Sequence, residues 1–110
     1  MDEIGERVQA LTEAIRRNEA YRRYLSLEAE LKKDTDLKKQ VDLFRKRSYE
    51  LQESETDWFD AADRLEAEFR EIQKIPMVQA YLEAELSVCK MVREIMEKIS
   101  EEIQIAEPEI

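Results

Sequence analysis

Pro76-Met77-Val78-Gln79-Ala80-Tyr81-Leu82-Glu83-Ala84-Glu85-Leu86-Ser87-Val88-Cys89-Lys90-Met91-Val92-Arg93-Glu94-Ile95-Met96-Glu97-Lys98-Ile99-Ser100-Glu101-Glu102-Ile103 is the stretch on which the reading of this chain turns. Two apolar series run through it at the three-to-four-residue spacing of a helix face. One is Met77, Tyr81, Ala84, Val88, Met91 and Ile95; the other is Val78, Leu82, Cys89, Val92, Met96, Ile99 and Ile103. They lie side by side, so the stripe is wider than a two-helix seam requires. Such a helix needs neighbours on two sides. The first series is assigned to a self-association seam and the second to the core. At 1.5 Å per residue the helix runs roughly 40 Å, whereas a compact domain of this length spans only about 34 Å. The expectation is an all-α, elongated bundle of about five helices, completed by dimerisation.

Upstream, Pro76 suits the first turn of that helix and forces Ile75 out of helical geometry. The preceding helix carries Trp58, Ala62, Leu65, Phe69 and Ile72 on one face, and Ser54-Glu55-Thr56-Asp57 before it has the form of a capping box. With about two residues between them, these two helices should form an antiparallel hairpin. Leu37, Val41, Phe44 and Leu51 mark a third helix, with Ser48 filling the gap. The break before it falls in Lys33-Asp34-Thr35-Asp36, whose short polar side chains compete with helix for local hydrogen bonds. Tyr21, Tyr24, Leu25 and Leu31 give a weaker stripe to a helix from Glu19 to about Lys33, for which Asn18 is a good N-cap. Ile4, Val8, Leu11 and Ile15 define the first helix, over residues 2–17. The whole reads as a single helical domain, 1–110, with residues 105–110 as a frayed tail after the last helix.

Composition agrees with long helices and short turns. Of 110 residues, 43% are apolar and 41% charged, with one glycine and two prolines, which leaves little material for loops or strands. The net charge of −9 is unevenly placed: residues 1–50 hold 12 basic and 11 acidic side chains, residues 51–110 hold 6 and 16. So acidic a second half disfavours a nucleic-acid backbone. The basic groups Arg16-Arg17 and Arg45-Lys46-Arg47 read first as solvated helix faces. Together with Phe59 they are also the candidate partner contacts. No basic-then-apolar leader opens the sequence and no run approaches the ~20 apolar residues of a membrane span. A cytoplasmic protein is expected.

Histidine is absent, which removes Ser-His-Asp and Cys-His catalysis and the Glu-x-x-His pattern of di-iron bundles. Cys89 is the single cysteine, read as a buried small hydrophobe. Glu85 interrupts the apolar stripe, so its carboxylate must sit at the rim or be paired. The lone Gly5 offers no phosphate loop. No catalytic residue, cofactor or metal is expected.

Three segments carry a resemblance: Ala14-Ile15-Arg16-Arg17-Asn18-Glu19-Ala20-Tyr21-Arg22-Arg23-Tyr24, Leu43-Phe44, and above all Ile75-Pro76-Met77-Val78-Gln79-Ala80-Tyr81-Leu82-Glu83-Ala84-Glu85. The chain resembles the YlbF/YmcA/YheA family of small helical bacterial regulators. The resemblance implies a cytoplasmic, oligomer-forming helical protein without known catalytic activity. YlbF and YmcA act in a complex that influences competence, sporulation and biofilm formation, linked to messenger-RNA processing and associated with iron–sulfur clusters. Those relatives carry cysteine-bearing C-terminal extensions; this sequence has Cys89 alone, so cluster binding does not transfer and the build looks more like the tail-less YheA branch. The leading expectation is a non-enzymatic regulatory adaptor acting through helix–helix contacts, as a homodimer or higher homo-oligomer and with other proteins of such a complex. The alternatives are an RNA-binding protein using its basic N-terminal helices and a self-assembling structural module.

Overall fold

A computed structural model describes residues 2–53 and 58–106, with the side chains of 52, 53 and 58 set aside. The capping box at Ser54–Asp57, the Trp58 side chain and the end of the expected tail therefore lie outside the described residues. Among the described residues six helices follow in order: α1 Glu3–Arg17, α2 Glu19–Lys32, α3 Thr35–Glu53, α4 Trp58–Glu68, α5 Arg70–Gln73 and α6 Pro76–Glu102. Among the described residues there is no strand, and the class is all-α with a long C-terminal helix. The sixth helix arises where the expected fourth one breaks. Phe69 leaves helical geometry at φ −107° and ψ 16° while its ring is buried, so α5 restarts as a short turn.

Local chemistry sets the other boundaries. Asn18, extended at φ −66° and ψ 138°, accepts from the Ala20 and Tyr21 amides and starts α2. The Asp34 carboxylate accepts from the Leu37 amide at 3.1 Å at the start of α3. Ile75 is extended at ψ 120° before Pro76, as the proline requires.

The core gathers at one end of the molecule. Leu31, Leu37, Val41, Phe69, Ile72, Val78 and Tyr81 form one buried cluster. The partner of α6 is chiefly α2, and α4 packs on α3 instead of forming the expected hairpin along α6. Phe44 of α3 meets Phe69 edge-on at 5.3 Å between ring centres.

Beyond this core the chain extends. The radius of gyration is 18.2 Å, against about 13 Å for a compact domain of 110 residues. The extents are 48 × 43 × 19 Å. Tyr24 lies against Tyr81, and Val8 and Leu11 share a cleft with Ile99. The α1–α2 run thus travels antiparallel to α6. Its first half, α1, and the second half of α6 make an arm that leaves the core.

Candidate interaction surfaces

A polar network closes the packed half of α6. Arg45 of α3 donates from Nη2 to Glu85 Oε1 at 2.7 Å and from Nη1 to the Tyr81 hydroxyl at 3.1 Å. The Tyr81 and Tyr24 hydroxyls lie 3.5 Å apart, and Tyr24 donates to Glu28 Oε2 at 3.1 Å. One proton ordering satisfies all of these: Arg45 donates to Tyr81, Tyr81 to Tyr24, Tyr24 to Glu28. Tyr49 adds a hydrogen bond to Glu85. The network ties α2, α3 and α6 together.

Titration follows from this geometry. Burial pushes the Tyr24 phenol well above its ordinary value, helped by Tyr81 and by the Glu28 carboxylate. Burial also pushes Glu28 upward, but hydrogen bonds from Lys32 and Tyr24 outweigh it and hold the carboxyl below the usual range. Arg45 loses hydration on burial, yet the Glu85 charge beside it raises its affinity for the proton. Its Nε is buried without a hydrogen-bond partner. Beside the network lies a small cleft of about 250 Å³ lined by Phe44, Tyr49, Leu82, Glu85 and Leu86.

The second surface is the arm. Its α1 face of Ile4, Val8 and Leu11 is exposed, as are Val92, Met96, Ile99 and Ile103 of α6. Among the described residues α1 buries none of its side chains. An open cleft between the two helices is lined by Ile4, Val8, Leu11 and Ile99, with Glu3 and Arg7 at its edge.

The structure divides the two apolar series of α6 differently from the sequence reading. Tyr81 and Ala84, assigned to the seam, are buried in the chain's own core, with Met77 half-buried beside them. Val88, Met91 and Ile95 are half-buried. In the second series Val78 is buried and Leu82 packs on the core, but Cys89, Val92, Met96 and Ile99 are exposed. The physical reason is coverage along the helix: the core elements wrap the first half of α6 on both series, while in the second half Met91 and Ile95 are only half-buried and Val92, Met96 and Ile99 are exposed. Phe69 and Ile72 are buried and Leu65 packs against them.

The basic candidates also separate. Arg45 and Arg47 turn inward, Arg47 pairing with Glu68 and lying over the Phe69 ring at 5.5 Å. Lys46, Arg16 and Arg17 face solvent, as does Phe59, which is engaged in contacts of its own. Arg17, Arg22 and Arg23 surround Glu19 at the α1–α2 junction. Glu85, left open between rim and pair, is a paired and partly buried carboxylate.

Sequence reasoning passed over the Arg45–Tyr81–Tyr24 chain. Its signal was present as two tyrosines on the α2 stripe and one on α6, but nothing local pairs them. Among the described residues no group of three or more metal-ligating side chains is placed to hold an ion, and no helix is long and apolar enough to cross a membrane.

No curated protein and no solved structure matches the chain. A family model does, over residues 4–104, which take in α1 from its second residue, all of α2 to α6 and the Arg45–Glu85 network. That span covers most of the chain, and the protein belongs to the family described as control of competence regulator ComK, YlbF/YmcA.

Proposed function

We propose that the protein is a non-enzymatic, cytoplasmic adaptor that works through helix–helix contacts, first with a second copy of itself and then with other proteins of a regulatory complex. The observation that supports this best is the bare apolar surface on α1 and the second half of α6. A contiguous face of this kind on a protein in water marks a surface that another molecule covers. The family's description as controlling a competence regulator is in keeping with such a role. By the family resemblance, the processes served are competence, sporulation, biofilm formation or messenger-RNA processing.

A second reading has its own observation. Arg16, Arg17, Arg22 and Arg23 cluster where α1 meets α2, and none of them forms an ion pair among the described residues. An RNA-binding protein would use them, with affinity falling steeply in salt.

Capture of the tagged protein from its own host, with and without ribonuclease, tests both. Protein partners that persist after ribonuclease support the adaptor. Partners lost with ribonuclease move the function to the arginine cluster. Recovery of the chain alone leaves a self-assembling module and overturns the recruitment of other proteins.

A further inference from the structure

We infer that the arginine cluster where α1 meets α2 is a docking site for an acidic segment of another protein. Closely spaced Asp and Glu carboxylates of that segment would take Arg16, Arg17, Arg22 and Arg23. The inference rests on the adaptor reading and gives it a partner chemistry and a place in the fold.

Local charge is the first argument. Residues 16–23 hold four arginines and one carboxylate, Glu19, in a chain whose net charge is −9. Arg16 and Arg17 end α1, Arg22 and Arg23 stand in the second turn of α2, and only Asn18 separates the two helices. All four side chains face solvent. Arg17, Arg22 and Arg23 line one open recess of about 620 Å³ together with Glu19. Like charges gathered this closely repel one another, and an anion set among them reverses the sign of that interaction.

The second argument is that the chain leaves these cations unpaired. Glu13–Arg17 and Glu19–Arg23 have the i,i+4 spacing that favours helix ion pairs. At the same spacing Glu28 meets Lys32 at 3.2 Å and Asp60 meets Arg64 at 2.9 Å. Yet among the described residues none of the four arginines forms an ion pair. The guanidinium fork matches a carboxylate with two parallel N–H bonds, so four of them form a surface suited to carboxylates.

Extent selects a protein segment over RNA. A polynucleotide needs a basic track along its backbone. Of the seven cations in residues 24–53, Lys32, Lys33, Lys38, Arg45 and Arg47 are each matched by a carboxylate of the chain itself. The patch therefore stops soon after Arg23. Its one ring, Tyr21, is half-buried beside Tyr24, at 6.4 Å between ring centres, and does not stand free as a stacking platform for bases. The net charge of −9 opposes a long polyanion as well. A short run of carboxylates fits a patch of this size.

Fluorescence anisotropy with a labelled oligoglutamate peptide tests this on the full chain, beside an oligouridylate of equal charge. Wild type is expected to bind the peptide with a dissociation constant of ~100 µM or tighter at low salt, weakening as salt is added. Arg22→Glu/Arg23→Glu should weaken binding by about tenfold or more, with a wild-type circular dichroism spectrum. Lys90→Glu/Arg93→Glu makes an equal change of net charge at exposed sites of α6 and should bind as wild type does.

Absence of peptide binding by wild type at low salt overturns the inference. So does an equal loss in Lys90→Glu/Arg93→Glu, which would trace binding to net charge alone. Oligouridylate held about tenfold more tightly than the peptide would assign the cluster to RNA instead. A changed mass in solution for Arg22→Glu/Arg23→Glu would assign the arginines to contacts between copies and overturn the acidic partner. A wild type that ignores the peptide, yet captures ribonuclease-resistant protein partners that Arg22→Glu/Arg23→Glu also captures, would sink this site alone and leave the adaptor reading standing.

Discussion

Arg45 Nη2 lies 2.7 Å from Glu85 Oε1, joining α3 to α6 across 40 residues of chain, with the two side chains 27% and 14% exposed. A pair this dry holds only while both partners are present, because the surviving charge keeps its desolvation cost. Glu85→Ala should therefore destabilise the core by about 1–3 kcal/mol, below the full cost of a buried pair because both groups keep some water. Arg45→Met with Glu85→Leu should recover most of that loss, since an apolar pair has no charge to desolvate. Urea denaturation followed by circular dichroism reads both; a double variant no better than the single one would refute the electrostatic account.

Tyr24 and Glu28 share a hydrogen bond and titrate in opposite directions. The folded state holds the Tyr24 proton more tightly than the unfolded chain, chiefly through burial. Its contribution is full below the unfolded phenol value of 10.0 and is lost as pH rises above it. Glu28 is held below the ordinary carboxyl value of 4.5, so its contribution is full above that pH and is lost as pH falls. The denaturation midpoint should form a plateau between these limits. Tyr24→Phe should flatten the alkaline limb and Glu28→Gln the acid one. If the variants keep both limbs unchanged, other groups carry the pH dependence.

Asn18 closes α1 with its backbone amide, which donates to the Ile15 carbonyl, and opens α2 with its side chain, which accepts from Ala20 at 2.9 Å and Tyr21 at 3.4 Å. Asn18→Ala should cost about 1 kcal/mol, as loss of an N-cap commonly does. Asn18→Asp retains the acceptor and places a negative charge at the helix start, where the dipole favours it. It should stay within ~0.5 kcal/mol of wild type. Thermal melts of the two variants decide this; equal losses would show that the cap geometry is unimportant here.

Signals that act within a few residues were legible in the sequence. Asn18 and Pro76 fixed helix starts that the structure reproduces, because capping and the missing proline amide work locally. The Phe69 break was hidden, since burying that ring against Phe44 is a tertiary matter. Periodicity reported the apolar face of α6 but not how much of its length the chain itself covers. Tyr81 and Met96 look alike by period, yet one lies under α2 and the other in solvent. Arg45 looked like part of a solvated basic run because its partners, Tyr81 and Glu85, are distant in sequence. Period therefore gives α6 its apolar face without separating the buried Tyr81 and Ala84 from the exposed Val92, Met96 and Ile99.

Cys89 marks where that coverage ends. By period it joins Leu82 and Val92 on an apolar stripe, and burial was the natural expectation for a free thiol. In the structure it is exposed, one turn beyond the buried Ala84. A thiol held by the core would react only through unfolding, whereas an exposed one reacts in the native state, its rate set by its thiolate fraction and access. At dilutions where the chain is a single copy, an aromatic disulfide reagent should modify its one cysteine under native conditions at a rate within about tenfold of that in urea, pH held constant. The Ala84→Cys/Cys89→Ser variant, with its thiol under the core, should react orders of magnitude more slowly until denaturant is added. Equal protection at both positions would mean that the distal half of α6 is covered as fully as the proximal half, and that the boundary between core and arm lies elsewhere.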